Sequence, residues 1–320
     1  MSTRENRLKA LAVSLQFTAC GIADLAPSRH QQALDAWLAA GHGGTMRYLH
    51  RQAAKRREPH LIVPGARRAI VVLDNYAPPP APVANGPTVQ VAKYARGADY
   101  HQVTLERLER VAEWLRGEGA EIARPFVDAG PVPERELAQR AGLGWIGKNT
   151  MLLRPGMGSL FFIGSVLTDL DLRPDPPFET DHCGSCTRCL EACPTAAFVA
   201  PRVLDATRCI SYLTIEQKGP IPGDVVPAMA GWAFGCDICN DVCPWNERFA
   251  EPTGVAAFHP RTTPECADPG YFDRLGEAEF AALFGDSPLS RPGLVGMRRN
   301  WRAGFDSLKG EGENRGGGER

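Results

Sequence analysis

The chain lacks any uninterrupted apolar run near the ~18 residues that a membrane-spanning helix requires. Its first residues, MSTRENRLKALAVSLQF, carry no twin-arginine pair and are too polar and amphipathic for a signal-peptide core. Both absences predict a cytoplasmic protein without membrane attachment. It also lacks an excess of charge of either sign, since 36 Lys and Arg against 37 Asp and Glu leave a net charge of −1. A protein that coats nucleic acid indiscriminately needs many phosphate neutralisations, so that class is excluded, whereas a local basic patch is not. Disorder of the whole chain is excluded too, because 43% of its 320 residues are hydrophobic and 23% charged. Outside one segment there is almost no cysteine. Cys20 and Cys266 stand apart from the rest, and both read as small buried apolar residues.

Length allows about two domains of roughly 150 residues. Residues 1–178 read as a mixed helix and strand region. Leu105, Leu108, Val111 and Leu115 recur at helical spacing over 100–116, with Gly117 and Gly119 as stop signals. AIVVL (69–73) and LFFIGSVL (160–167) are short runs rich in β-branched and aromatic residues, and predict buried strands. PPPAPVANGP (78–87) predicts an exposed loop. RPDPPF (173–178) marks a boundary, after which residues 179–250 are rich in cysteine, proline and small side chains. Residues 251–320 have helical character around 277–284 and end in GEGENRGGGER, which is too polar and glycine-rich to pack.

Eight of the ten cysteines fall between Cys183 and Cys243. Cys183, Cys186, Cys189 and Cys193, followed by Pro194, spell C-x2-C-x2-C-x3-C-P, the bacterial ferredoxin pattern for a [4Fe–4S] cluster. A tight loop presents three thiolates to one cubane, while the cysteine before proline enters a helix and serves the other cluster. Cys236, Cys239 and Cys243 with Pro244 repeat the x2 and x3 spacings one cysteine short, and Cys209 can supply the missing ligand. Crossing the ligands places Cys183, Cys186, Cys189 and Cys243 on one cluster and Cys193, Cys209, Cys236 and Cys239 on the other. Four-cysteine zinc is the alternative, but zinc needs neither the Cys-Pro ending nor three cysteines at x2, x2. Two clusters imply electrons moving singly. A stand-alone carrier needs only the cysteine segment, so the long region ahead of it favours an enzyme over a module that docks onto one.

VDAGPVPERELAQRAGLGWIGKNTMLL (127–153), HCGSCTRCLEACPTAA (182–197), CISYLTIEQKG (209–219) and FGCDICNDVCPWNERF (234–249) together resemble the epoxyqueuosine reductases. The likeness runs from about residue 43 to residue 249, and its motifs agree in order and spacing. It implies a cobalamin-dependent iron–sulfur enzyme that reduces epoxyqueuosine to queuosine at the wobble position of tRNA, the last step of queuosine biosynthesis. Electrons would pass from an external donor, such as a flavodoxin or ferredoxin, through both [4Fe–4S] clusters to cobalamin in the amino-terminal domain.

The resemblance also implies roles for particular residues. Asp128 matches the family's proton donor in V-D-x-G-P; burial beside a corrin would raise its pKa and keep it protonated. By residue type alone, an aspartate ahead of Gly-Pro forms a turn. Alanine fills the third place of this motif, where many members carry threonine. Arg51, Leu152, Ile163 and Ser211 fall at corrin contacts, and Lys148 and Asn149 suit corrin amides from a glycine-rich turn. Arg135 would hold a tRNA phosphate or steady Asp128, and Lys218 would meet substrate. Tyr100 is a second proton source. DYH (99–101) matches only weakly the motif by which some cobalamin proteins supply a histidine to cobalt, because Thr104 replaces its glycine, so His101 is not expected to ligate. The basic runs RQAAKRREPH (51–60) and RRNWR (298–302) would meet the tRNA backbone or remain solvated, with Trp301 able to stack on a base.

The implied fold class is α+β: a cobalamin-binding α/β domain (1–178) with a central sheet flanked by helices, a ferredoxin-like double-cluster domain (179–250), and a short helical end with a disordered tail (251–320). A monomer is expected. Longer members continue into a helical-repeat segment that holds tRNA, and LVGMRRNWRAGF resembles its beginning. The reductive dehalogenases share the cobalamin and two-cluster plan but typically carry the twin-arginine signal that this sequence lacks.

Overall fold

The β-branched run AIVVL forms the middle of a four-stranded sheet in the computed structural model, which describes residues 3–79, 88–261 and 267–309. Strands β1 (Ala19–Asp24), β2 (Arg68–Asn75), β3 (Ala123–Val127) and β4 (Phe161–Thr168) lie in the order β1-β2-β4-β3. Each neighbouring pair is antiparallel, with Ile22 opposite Ile70, Leu73 opposite Ile163, and Val127 opposite Gly164. The α+β expectation describes this sheet. The narrower α/β label does not, because parallel βαβ pairing is absent from the four strands.

Alternation along β2 divides its side chains between two cores. Ile70 and Val72 pack with Leu8 and Ala12 of α1 (Arg4–Ser14) and with Leu108, Val111 and Leu115 of α2 (Tyr100–Gly117). Ala69, Val71 and Leu73 pack with Leu137 and Ala138 of α3 (Glu134–Arg140) on the other face. Helices therefore flank the sheet on both sides. The buried stripe of α2 differs by one residue from the expected one, since Thr104 is fully buried and Leu105 is 38% exposed. Thr104 pays for its burial by donating to Asp74 Oδ2 at 2.7 Å, an acceptor that Arg107 also meets. A polar residue at an apolar-stripe position is legible only once its partner on β2 is known.

The cysteine segment is built from very short elements. Helices Arg188–Glu191, Ile238–Asp241 and Pro244–Phe249 span four to six residues, as does α4 (Ile210–Ile215). Cys209 and Cys243 are the N-caps of α4 and Pro244–Phe249. Cys193 departs from expectation. Pro194 leads into a turn, with Ala196 at φ +47°, and then strand Phe198–Ala200 rather than a helix.

The carboxy-terminal part folds as α5 (Gly293–Lys309) against strand Trp232–Phe234, which pairs in parallel with Gln90–Val91. This overturns one expectation for the RRNWR run. Trp301 is 1% exposed and its indole N–H donates to the Asp268 carbonyl at 2.8 Å, so it offers no ring to a base. Arg298 donates to the Phe272 and Leu275 carbonyls, and Arg299 to those of Leu213 and Gln217. The run staples α5 to its neighbours.

Most of the Pro-rich stretch 78–87, Cys266 and the glycine-rich tail lie outside the described residues. Cys20 sits on β1 against the α1 and α2 core, where burial pushes its thiol up to about 12. Among the described residues no helix is long and apolar enough to cross a membrane.

Candidate active site

Strand β3 ends at Val127, and the next residue, Asp128, turns the chain at φ +47°. Aspartate tolerates this left-handed conformation better than most non-glycine residues. The turn aims the Asp128 carboxyl at the first turn of α2. Tyr100 Oη donates to Asp128 Oδ2 at 2.6 Å, and His101 Nε2 lies 3.9 Å from the same oxygen. Asp99 caps α2, accepting from the His101 N–H, and its Oδ1 lies 2.7 Å from His101 Nδ1. Tyr100 is itself fixed by stacking between His101 and Phe162, each with ring centroids 4.1 Å away.

Behind the turn stands a residue the sequence reading did not single out. Glu134 opens α3 and folds back so that its Oε1 accepts from the Asp128 N–H at 2.8 Å. Burial, reinforced by the Asp128 charge, lifts the Glu134 carboxyl from its ordinary 4.5 to about 8. Arg56 donates to the carbonyls of Gly130 and Val132 and so holds the rest of the loop. Glu134 stands six residues after Asp128 at a helix start, the only signal by which it could have been found. The Tyr100 phenol is raised above its usual value by burial and by Asp128, and it stays a donor. Asp128 keeps 57% of its side chain open on the outer side.

Ile163 is the single residue of β4 that is not buried. With Phe126 and Met157 it leaves partly exposed apolar surface on the α3 face of the sheet, one position along β4 from the partner of Val127. Apolar surface left partly open on a sheet face would suit the apolar ring face of a corrin. Leu152 is 2% exposed and belongs to the core beneath. It lies in hairpin Trp145–Ile146 and Leu152–Leu153, whose turn carries Lys148 and Asn149. Arg135 donates to the Thr150 carbonyl of this turn at 2.7 Å. Lys148 is drawn the other way, to the carbonyls of Gly184 and Cys186 at 2.7 and 2.8 Å. Asn149 is 3% exposed; its Oδ1 accepts from the Met151 N–H and its Nδ2 donates to the Cys239 carbonyl. Arg51 is exposed on its helix, Ser211 is half-buried on α4, and Lys218 is exposed beyond it. The structure thus gathers Asp128, Tyr100 and Glu134 directly, and ties Arg135 to the hairpin turn that touches the cysteine loop.

Among the described residues no cysteine is in a disulfide. Cys189 is influenced by Cys243, Cys183 and Cys186, and Cys243 by Cys183 and Cys186. Cys236 is influenced by Cys209 and Cys193, Cys209 by Cys193, and Cys239 by Cys236 and Cys209. Their mutual interactions therefore sort them into two sets of four, with Cys239 and Cys189 close enough to couple the sets. Burial pushes the Cys236 thiol up to about 12 and holds that of Cys239 well above its ordinary value. Thiols so withdrawn from water become ligands when a metal centre takes the place of their protons, and eight in two fours fit two cubanes. Backbone N–H groups supply local support: those of Ser211 and Tyr212 reach Cys209, and that of Ala197 donates to Cys193 Sγ at 3.3 Å.

Residues 56–129 match the family model described as "Epoxyqueuosine reductase QueG, DUF1730", and residues 182–246 match "4Fe-4S double cluster binding domain". The epoxyqueuosine reductase of Pseudomonas aeruginosa is 43% identical over 296 residues, covering 91% of this chain and 82% of that protein. That of Cyclobacterium marinum is 40% identical over 306 residues, covering 94% and 97%. A crystal structure of epoxyqueuosine reductase with an epoxyqueuosine-modified tRNA-Tyr stem loop superposes with a TM-score of 0.86 at 27% identity, covering 95% of this chain and 81% of that one. The structure from Streptococcus thermophilus gives 0.84 at 25% identity, covering 96% and 82%. With the carboxyl-bearing turn and the eight grouped thiols set in a chain so closely related from end to end, the protein belongs to the epoxyqueuosine reductase family of oxidoreductases.

Proposed function

We propose that this enzyme reduces epoxyqueuosine to queuosine at the wobble position of tRNA, with Asp128 as proton donor. The observation that carries the reading is the Tyr100–Asp128 pair, 2.6 Å apart, with more than half of the Asp128 side chain open. Removing an epoxide oxygen to leave an alkene consumes two electrons and two protons, and the oxygen departs as water. When bound, the two [4Fe–4S] clusters supply single electrons and cobalamin supplies a cobalt that can be reduced to a nucleophile. Cys183, Cys186, Cys189 and Cys243 would hold one cluster, and Cys193, Cys209, Cys236 and Cys239 the other. Arg51, Ile163 and Ser211 would line the corrin, backed by Leu152 in the core beneath and by the turn of Lys148 and Asn149.

The chain's own task is proton delivery. An alkoxide develops as the epoxide opens, and a positioned acid lowers that barrier. Asp128 meets Tyr100 through Oδ2, leaving Oδ1 to face the substrate oxygen. After Asp128 gives up its proton, solvent on its open side restores it, while the hydrogen bond from Tyr100 Oη to Oδ2 steadies the carboxylate. Glu134 holds the Asp128 backbone throughout, so the carboxyl need not reorganise. A docked nucleoside would also cover the open side of Asp128 and withdraw it from water. Arg135 and Lys218 would engage the tRNA, whose unstacked anticodon base is the natural recognition element.

We assign residues 1–178 to the catalytic domain, 179–250 to the double-cluster domain and 251–320 to a helical end. The enzyme would work as a cytoplasmic monomer fed by a flavodoxin or ferredoxin. The test is anaerobic incubation of the reconstituted protein with epoxyqueuosine-containing tRNA, a strong reductant and cobalamin, followed by mass analysis of the nucleosides. Conversion to queuosine that stops when cobalamin is omitted is the expected result. No conversion with both clusters intact would overturn the reading.

A further inference from the structure

The hairpin around Trp145–Ile146 contributes no group to the proton-delivery scheme above, yet two of its side chains, Trp145 and Lys148, reach one set of cysteines. Trp145 is 1% exposed, and its only polar atom, Nε1, donates to Cys183 Sγ at 3.4 Å. A buried indole N–H needs a partner, and here the partner is a sulfur. The ring is held by aromatic neighbours, with Trp245 and His182 centroids each 5.0 Å away and Phe178 at 5.8 Å. Three residues on, the Lys148 ammonium sits on the carbonyls of Gly184 and Cys186, inside the loop that joins two of the thiols. Gly147 lets the backbone approach, since a Cβ there would stand 3.5 Å from Cys183 Sγ and collide with Leu153.

We propose that the 145–148 hairpin sets the reduction potential of the cluster held by Cys183, Cys186, Cys189 and Cys243. The inference rests on the reading that these four thiolates hold a [4Fe–4S] cluster. An added electron makes a cluster more negative. A hydrogen bond to a ligating sulfur and a nearby cation both favour that form, so both raise the potential. Trp145 is withdrawn from bulk water, which strengthens its bond to the sulfur. Local backbone bonds occur in both sets, at Cys243 from Trp245 and Asn246 in the first and at Cys193 and Cys209 in the second, but the Trp145 and Lys148 contacts fall on the first. Two clusters of one type are thereby made unequal by a segment outside the cysteine motifs. The same hairpin turn accepts from Arg135 at Thr150, so the element that tunes this cluster is fastened to the helix behind Asp128.

The test is a redox titration of the reconstituted full-length protein, followed by electron paramagnetic resonance, with iron and sulfide counted in each sample. Trp145→Phe keeps the aromatic packing and removes only the N–H···S bond; Lys148→Met removes the charge. Each should move one of two reduction waves to lower potential and leave the other in place, with metal content unchanged. Lys148→Arg should return the wave to its wild-type position. Should Trp145→Phe lose iron, the Lys148 pair decides the matter alone. Waves at wild-type potentials in Trp145→Phe and Lys148→Met, with full iron, would overturn the proposal, as would an equal shift of both waves. Wild-type protein with less iron than two clusters need would instead refute the cluster reading beneath it.

Discussion

Asp128 and Glu134 are two carboxyls joined through a backbone amide, and they sit in unlike surroundings. Asp128 faces outward beside a phenol, whereas Glu134 is withdrawn behind it. Asp128→Asn should keep iron and sulfide content while turnover falls by about 10²–10⁴, the usual worth of a positioned general acid. Wild-type turnover in that variant would remove Asp128 from the mechanism. Glu134 makes a separate prediction about pH. Its carboxyl titrates near 4.5 when unfolded and at about 8 in the fold, so across that window the folded state binds the proton more tightly. Unfolding then becomes easier as pH rises from about 5 to 8, because the unfolded state releases a proton that the fold retains. Glu134→Gln preserves an acceptor for the Asp128 N–H but has nothing to titrate. Its melting temperature should therefore fall less steeply over this range than the wild type's, and parallel curves would show that Glu134 is not a buried acid.

Among the elements, α2 carries both site and scaffold. Its first turn presents Tyr100 and His101, while its remaining turns bury Leu108, Val111 and Leu115 against the sheet. The one-residue displacement of its buried stripe can be tested directly. Leu108→Ala should destabilise by about 2–5 kcal/mol through the cavity it leaves, and Leu105→Ala on the solvent side by about 0.5 kcal/mol or less. Equal shifts in melting temperature would contradict this register. Close approach of elements also explains Gly44, at φ +54°, where a Cβ would lie 2.4 Å from Tyr212 Oη. Tyr212 accepts from the Thr45 N–H at 2.7 Å, which anchors the loop before Arg47–Arg51 to α4.

Across the whole molecule, stability is divided unevenly. The four-stranded sheet has two apolar cores of its own, but the cysteine segment is held by helices of four to six residues, too short to persist alone. Much of that segment's order should come from metal ligation, since binding free energy there is folding free energy. Removing iron with a chelator under reducing conditions should release hydrogen-exchange protection over 183–243 and leave β2 and β4 protected. Retained protection in both regions would mean that the segment folds without its clusters. Long-range pairings such as Gln90–Val91 with Trp232–Phe234, covered by α5, connect the early and late parts of the chain.

Sequence alone determined the parts of this protein that chemistry encodes locally. Thiolates for a cubane must recur at fixed short spacing, so the double-cluster segment was readable from its cysteines, as were β2, β4 and α2 from their apolar periods. Asp128 was readable through a motif. Only the tertiary structure decided what depends on residues far apart in the chain: the antiparallel order β1-β2-β4-β3, the burial of Thr104 by Asp74, and the consumption of Trp301 and Arg299 in packing α5. The same holds for Glu134 behind Asp128 and for Trp145 on Cys183, 38 residues away. A hydrogen bond between distant segments leaves no period or spacing in the sequence, because its partner is chosen by how the chain folds back.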